Sequence, residues 1–288
     1  MVRREAVPVL HPDQLHFRRV RASWPDWFPG RSEPVARELL FQETELLRDW
    51  YQNMLDSEPP YRQAARGYVA AYMPRGYYWF AAVVENHARL RELLLAARSV
   101  LVLGCGPAPE LWSLSRYLSP EAVVTLVDAR MGVWEPFIRG FTVPLVVEAR
   151  GLMSLVAELP RLEFRCESHD SVTGVRRFDL LLAQQVLNEI AALRATPYRR
   201  RLLASSTISD WRCRLLRRGG AIVVVDNDHK DQRLPAIEKE LPPGSCEQGS
   251  LQSGVVRCAR DLKDWLSGPW GDFVPRRKAA TKYMVIYG

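Results

Sequence analysis

The chain has no run approaching the ~20 consecutive apolar residues of a membrane-spanning helix, so no span is expected. It has no Cys-x-x-Cys pair; Cys105, Cys166, Cys213, Cys246 and Cys258 are an odd and scattered set. That spacing argues against a disulfide framework and fits reduced thiols, with Cys105 read as a small buried residue. The five histidines, His11, His16, His87, His169 and His229, are equally scattered, and no metal site is expected. Lysine is scarce: arginine supplies 35 of the 40 basic residues behind a net charge of +7. A basic balance invites nucleic acid, but such an arginine bias fits a GC-rich genome equally well, so composition assigns no partner. Met1-Val2-Arg3-Arg4-Glu5 leads into proline and histidine rather than an apolar stretch, so no signal peptide and a cytoplasmic location are expected.

What is present is enough for a full α/β core: 288 residues, 47% hydrophobic and 25% charged. The chain divides at residue 97. Residues 1–30, rich in proline and tryptophan, read as an extended arm. Glu33 to Asp56 has helical apolar spacing and ends at Pro59-Pro60; a second helix, interrupted at Pro74, fills 61–97. These 97 residues carry 14 of the 28 aromatics and read as an N-terminal helical cap or lid. From 98 to 288, strands and helices alternate, the pattern of a doubly wound sheet. Strands are expected near 99–104, 122–128, 161–166, 178–184, 220–226 and 281–287, with another between 250 and 258. Residues 129–160 hold an extra helical turn, and 229–249 read as an irregular insertion.

The sharpest motif is Ser99 to Glu110, SVLVLGCGPAPE. A β-branched apolar run enters a glycine turn and a helix follows, the arrangement in which bare backbone approaches a nucleotide at a strand's carboxyl end. The next strand ends on Asp128, 24 residues after Gly104, where an acid accepts hydrogen bonds from ribose hydroxyls. Pro107 and Pro109 remove two amide donors and Glu110 adds a negative charge, which disfavours a pyrophosphate. A third glycine at 109, as dinucleotide binding requires, is absent, which makes a nicotinamide-dependent oxidoreductase a poorer fit. A nucleoside without a pyrophosphate fits better, and S-adenosylmethionine is one.

With these residues the chain resembles the class I S-adenosylmethionine-dependent methyltransferases over roughly Arg98 to Gly288. Phe178 to Ile190 (FDLLLAQQVLNEI), Leu215 to Asp228 (LLRRGGAIVVVDND) and Thr281 to Gly288 (TKYMVIYG) match the family's fourth, fifth and closing strands. The resemblance implies a Rossmann-like, mostly parallel sheet with an antiparallel C-terminal strand, S-adenosyl-L-methionine as cofactor, and transfer of its methyl group. Residues 68–87, with the loop and VLNEI, resemble methyltransferase-like proteins of small-ribosomal-subunit assembly, whose cysteine cluster is missing here. Two departures stand out. Val102 occupies the position, two before the first glycine, where most of the family has an acid. The Gly-x-Gly-Pro-x-Pro loop also resembles nicotianamine-synthase-like enzymes, which transfer the cofactor's aminocarboxypropyl arm.

The candidate cofactor contacts are Gly104, Cys105, Gly106 and Pro107 in the loop, and Asp128 with Ala129 after the second strand. The resemblance adds the turn after the third strand, His169 and Asp170, as an adenine contact. Arg75 is a candidate partner for the cofactor carboxylate and Tyr77 for its sulfonium. Gln184, Asn188 and Glu189 follow the fourth strand at its carboxyl end, where chemistry is expected; Gln184 is also a candidate cofactor contact. The chain lacks the Asn/Asp-Pro-Pro-aromatic and Pro-Cys signatures of two nucleic-acid-modifying subclasses. The acceptor therefore stays open between a small molecule and RNA. Arg194, Arg199, Arg200 and Arg201 are candidate RNA contacts, and a rival reading is a methyltransferase fold that binds RNA or assembles without turnover.

Overall fold

The computed structural model describes residues 12–53, 59–152, 159–168, 172, 176–187, 196–226, 233–251 and 281–288. Five helices come first: α1 (Pro12–Trp27), α2 (Glu33–Asn53), α3 (Tyr61–Ala71), α4 (Met73–Asn86) and α5 (Ala88–Ala96). The expected extended arm is thus largely a helix, because Leu15 and Val20 bury completely against the other helices and outweigh its proline-rich composition. The breaks in 61–97 fall at Tyr72 and His87, while Pro74 sits in the first turn of α4, where its missing N–H costs nothing.

Strands β1 (Ser99–Leu103), β2 (Val123–Val127), β3 (Arg161–Arg165), β4 (Phe178–Gln184), β5 (Leu216–Asp226), β6 (Cys246–Leu251) and β7 (Thr281–Tyr287) form one sheet in the order β3-β2-β1-β4-β5-β7-β6. The first five pair in parallel and β7 runs antiparallel between β5 and β6, a Rossmann-like sheet with the expected antiparallel C-terminal strand. Between the strands lie α6 (Leu111–Tyr117), then α7 (Met131–Phe137), a π-turn at Ile138–Thr142 and α8 (Val143–Leu152), followed by α9 (Pro197–Arg214) and α10 (Arg233–Glu240).

Side chains alternate across the sheet. Val100 and Val102 join one apolar cluster with the N-terminal helices, while Leu101 and Leu103 join the other with Trp211 of α9 and Leu234 of α10. Helices therefore cover both faces.

Two expectations are corrected on the C-terminal side. Residues 229–249 are not simply irregular, since α10 and the start of β6 lie there; the expected 250–258 strand is β6, shifted earlier, and residues 252–258 lie outside the described residues. As an edge strand reading CEQGSL, β6 has no apolar alternation to announce it. Strand β5 also begins earlier than 220: register jumps between Phe178↔Leu216 and Leu180↔Ala221, so Arg217–Gly219 bulge outward. Both glycines are needed there, Gly219 for its φ of +77° and Gly220 because a Cβ would lie 2.5 Å from the Asp179 carbonyl oxygen.

Helices α2 and α3 meet at Gly67, whose N–H donates to Glu43 at 2.9 Å. Burial pushes the Glu43 carboxyl above its usual range, and Arg66 pairs with it at 2.5 Å. A Cβ at position 67 would lie 2.8 Å from both Glu43 Cβ and the Thr44 backbone nitrogen. Gly67→Ala is therefore expected to destabilise the fold by about 1–3 kcal/mol through overpacking, read as a lower urea midpoint; an unchanged midpoint would show that the helices can separate freely.

Candidate functional site

The turn after β1 lies next to the gap between β1 and β4, where the strand order reverses and ligands of open α/β sheets bind. Gly104 and Gly106 have φ of +58° and +50°. They do different work. A Cβ on Gly104 would press 2.6 Å from Val186 Cγ2, just past β4, so this glycine serves packing. A Cβ on Gly106 would meet nothing within 4 Å, so bare backbone there faces open space.

Asp128, half-buried at the end of β2, holds this turn. Its Oδ2 accepts from the Gly106 N–H at 3.0 Å and its Oδ1 from the Arg130 N–H at 2.7 Å. The Cys105 N–H donates to the Val127 carbonyl at 3.1 Å, extending the β1–β2 pairing into the loop. Cys105 is buried, and desolvation with the charges of Asp128 and Glu110 pushes its thiol well above its ordinary range. The thiol is accordingly inert packing at neutral pH.

The prolines fasten the loop to its surroundings. The Pro107 carbonyl accepts from Thr142 Oγ1 at 2.7 Å. Pro109 packs so closely on α4 that a Cβ at Gly76 would lie 2.4 Å from its ring. Tyr77, next on α4, is fully buried; its hydroxyl meets His16 Nδ1 at 2.8 Å and its carbonyl accepts from Ser113 at 3.1 Å. It is packed in the core with no exposed surface. Sulfonium contact was expected of it; tertiary packing has claimed the ring instead.

At the end of the loop Glu110 is 3% exposed, and its Oε1 accepts from the amide nitrogen of Gln184, itself 7% exposed, at the end of β4. Glu110 Oε2 and Gln184 Oε1 are buried with no partner among the described residues. Burial raises the Glu110 carboxyl to about 7, partly offset by the Gln184 bond and its own backbone. The sequence shows Glu110 only as an acid opening a helix; its place directly after the glycine loop was the available signal. Two residues other than glycine among those described have positive φ, Ala108 at +54° and Gln185 at +59°, and they stand beside these two side chains. Such strain, of order 1–2 kcal/mol each, gathers at functional sites.

Ala129 is exposed and, with Arg130 and Cys166, lines a cavity of about 1410 Å³ at the carboxyl ends of β2 and β3. Trp27, Arg62 and Arg66 line it from the N-terminal helices. Sequence reasoning missed these three, because nothing local ties them to β2. His169, Asp170, Asn188, Glu189 and Arg194 lie outside the described residues, as does the side chain of Arg75. Arg199 is exposed on the first turn of α9, where Thr196 caps its N–H at 3.3 Å, and Arg200 and Arg201 are half-buried. Among the described residues no cluster of histidine, cysteine or acidic side chains could hold a metal, and no helix is long and apolar enough to cross a membrane.

No family model matches the chain, and no curated protein matches it. Solved structures do. One is an O-methyltransferase family protein from Burkholderia thailandensis, 14% identical, covering 88% of this chain and 71% of that one at a TM-score of 0.46. Another is the N-methyltransferase NodS from Bradyrhizobium japonicum in complex with S-adenosyl-L-homocysteine, 12% identical, with 84% and 98% coverage and a TM-score of 0.40. An rRNA methylase from Streptococcus thermophilus is 11% identical over 71% of this chain and 95% of that one, at 0.40.

Proposed function

We propose that this chain is an S-adenosylmethionine-dependent methyltransferase. The observation that carries the reading is the pairing of a glycine backbone that faces open space at Gly106 with a carboxylate, Asp128, that holds the same turn. A carboxylate offers about four acceptor positions, so Asp128 can serve the loop amides and still accept from ribose hydroxyls. The cavity beside Ala129 exceeds the ~300–1,000 Å³ usual for small-ligand sites and leaves room for an adenosine. The unpartnered acceptors of Glu110 and Gln184 suit a donor-bearing end group. His169 and Asp170 remain the proposed adenine contacts, and Asn188 and Glu189 the proposed residues on the acceptor side.

When bound, S-adenosylmethionine supplies a methyl already activated on its sulfonium. The chain's own task is alignment and exclusion of water. The loop, pinned by Asp128, Thr142 and α4, presents a fixed backbone surface, and the helices of residues 12–97 act as the cap over it. For the acceptor, the start of α9 favours RNA: one exposed aromatic ring, Tyr198 (64% exposed), and the aliphatic Leu202 (46%) stand beside the cation of Arg199.

Titration calorimetry with S-adenosylhomocysteine is the direct test, with saturable binding expected and none overturning the cofactor assignment. Incubation with S-adenosylmethionine and cell extract should then yield S-adenosylhomocysteine. Methylthioadenosine in excess of spontaneous breakdown would instead mean transfer of the aminocarboxypropyl arm. RNA binding that falls steeply with salt and ignores S-adenosylhomocysteine would favour a binding module without turnover.

A further inference from the structure

We infer that Glu110 and Gln184 form a receptor for a primary ammonium group, that of the amino-acid end of the nucleoside ligand; this rests on the cofactor reading above. Two side chains brought together from the loop after β1 and from the end of β4 leave one oxygen each, Glu110 Oε2 and Gln184 Oε1, buried and without a partner among the described residues. A pair of buried acceptors costs free energy until a donor arrives. An ammonium brings three N–H donors and a positive charge, which matches a carboxylate plus an amide oxygen; a carboxylate or phosphate would be repelled.

The position agrees. The pair is seated at the reversal of strand order, one residue beyond the Pro109 that locks the loop to α4. Val102, in the interior of β1, is fully buried and apolar, so the strand brings no acid of its own to this end of the loop. Burial raises the Glu110 carboxyl to about 7, the signature of an acid held without a counter-charge, which an incoming cation would supply. Ala108, two residues before Glu110, and Gln185, next to Gln184, both hold positive φ, the kind of strain that gathers at functional sites.

The test is a cycle of two proteins and two probes by calorimetry: wild type and Glu110→Gln, against S-adenosylhomocysteine and its deamino analogue, which keeps the carboxylate. Glu110→Gln is expected to weaken S-adenosylhomocysteine at least tenfold and to leave the deamino analogue within twofold. Equal losses on both probes, or no loss on S-adenosylhomocysteine, would overturn the receptor while leaving the cofactor reading intact. Binding of neither probe to wild type would remove both. Should Glu110→Gln fail to fold, Gln184→Leu deletes the second acceptor and should show the same selectivity for the amine.

Discussion

Asp128→Ala is expected to weaken S-adenosylhomocysteine binding by about 1.5–3 kcal/mol, the worth of a hydrogen bond to a charged group, or roughly 10- to 150-fold. The loss has two sources. The variant removes the acceptor proposed for the ribose, and it frees the Gly106 and Arg130 amides that Asp128 now holds at 3.0 and 2.7 Å. Asp128→Asn tests the loop contacts at unchanged side-chain size. An asparagine keeps one acceptor oxygen but turns an NH₂ toward one of those two N–H donors, so loop order suffers although size is unchanged. It should therefore bind the ligand no better than Asp128→Ala. Wild-type affinity in either variant would detach Asp128 from the site.

The second large effect is on stability against pH. Glu110 titrates near 7 in the folded chain and near its ordinary 4.5 when unfolded. Between these values the folded state binds the extra proton, so stability falls as pH rises and the full cost is reached above pH 7. A shift of this size corresponds to about 3 kcal/mol. Glu110→Gln removes it. The variant should match wild type near pH 4.5 and exceed it near pH 8 by up to about 6 °C in unfolding temperature. Other groups titrate too. Glu43, also raised by burial, acts in the same direction, whereas Asp179, lowered mainly by hydrogen bonds from Arg98, Ser99 and Arg217 against its desolvation, acts in the opposite one. Both are common to the two proteins and cancel in the difference. Around Glu110 itself the facing groups are the Cys105 thiol, with Asp128 behind it, and the Gln184 amide. Parallel pH curves for variant and wild type would show that Glu110 ionises as an ordinary surface acid.

Much of the sheet could be read from the chain because a parallel strand buried on both faces must be a continuous apolar run. SVLVL, VVTLV and FDLLLAQ announce β1, β2 and β4. The glycine turn and Asp128 were legible for a similar reason, since φ and strand position constrain local residue types. Helix α1 was not. Its proline and tryptophan content reads as irregular chain, and only burial of Leu15 and Val20 against distant helices makes it helical. Strand β6 was expected too late, at 250–258, because an edge strand needs one paired neighbour and no apolar face to mark its start.

By itself the sequence determined that a glycine loop follows a buried strand, that an acid ends the next strand, and that prolines strip amides from the turn. These are properties of residues within a few positions of each other. The tertiary structure decided what each of them does, because the deciding partners are far away in the chain. Val186 makes Gly104 a packing residue and leaves Gly106 facing open space; Thr142 and Gly76 turn the prolines into fastenings. His16 and the core claim Tyr77. Gln184, 74 positions along, converts Glu110 from a helix-start acid into a buried carboxyl with one oxygen unpartnered among the described residues, since only folding removes the water that would otherwise have solvated it.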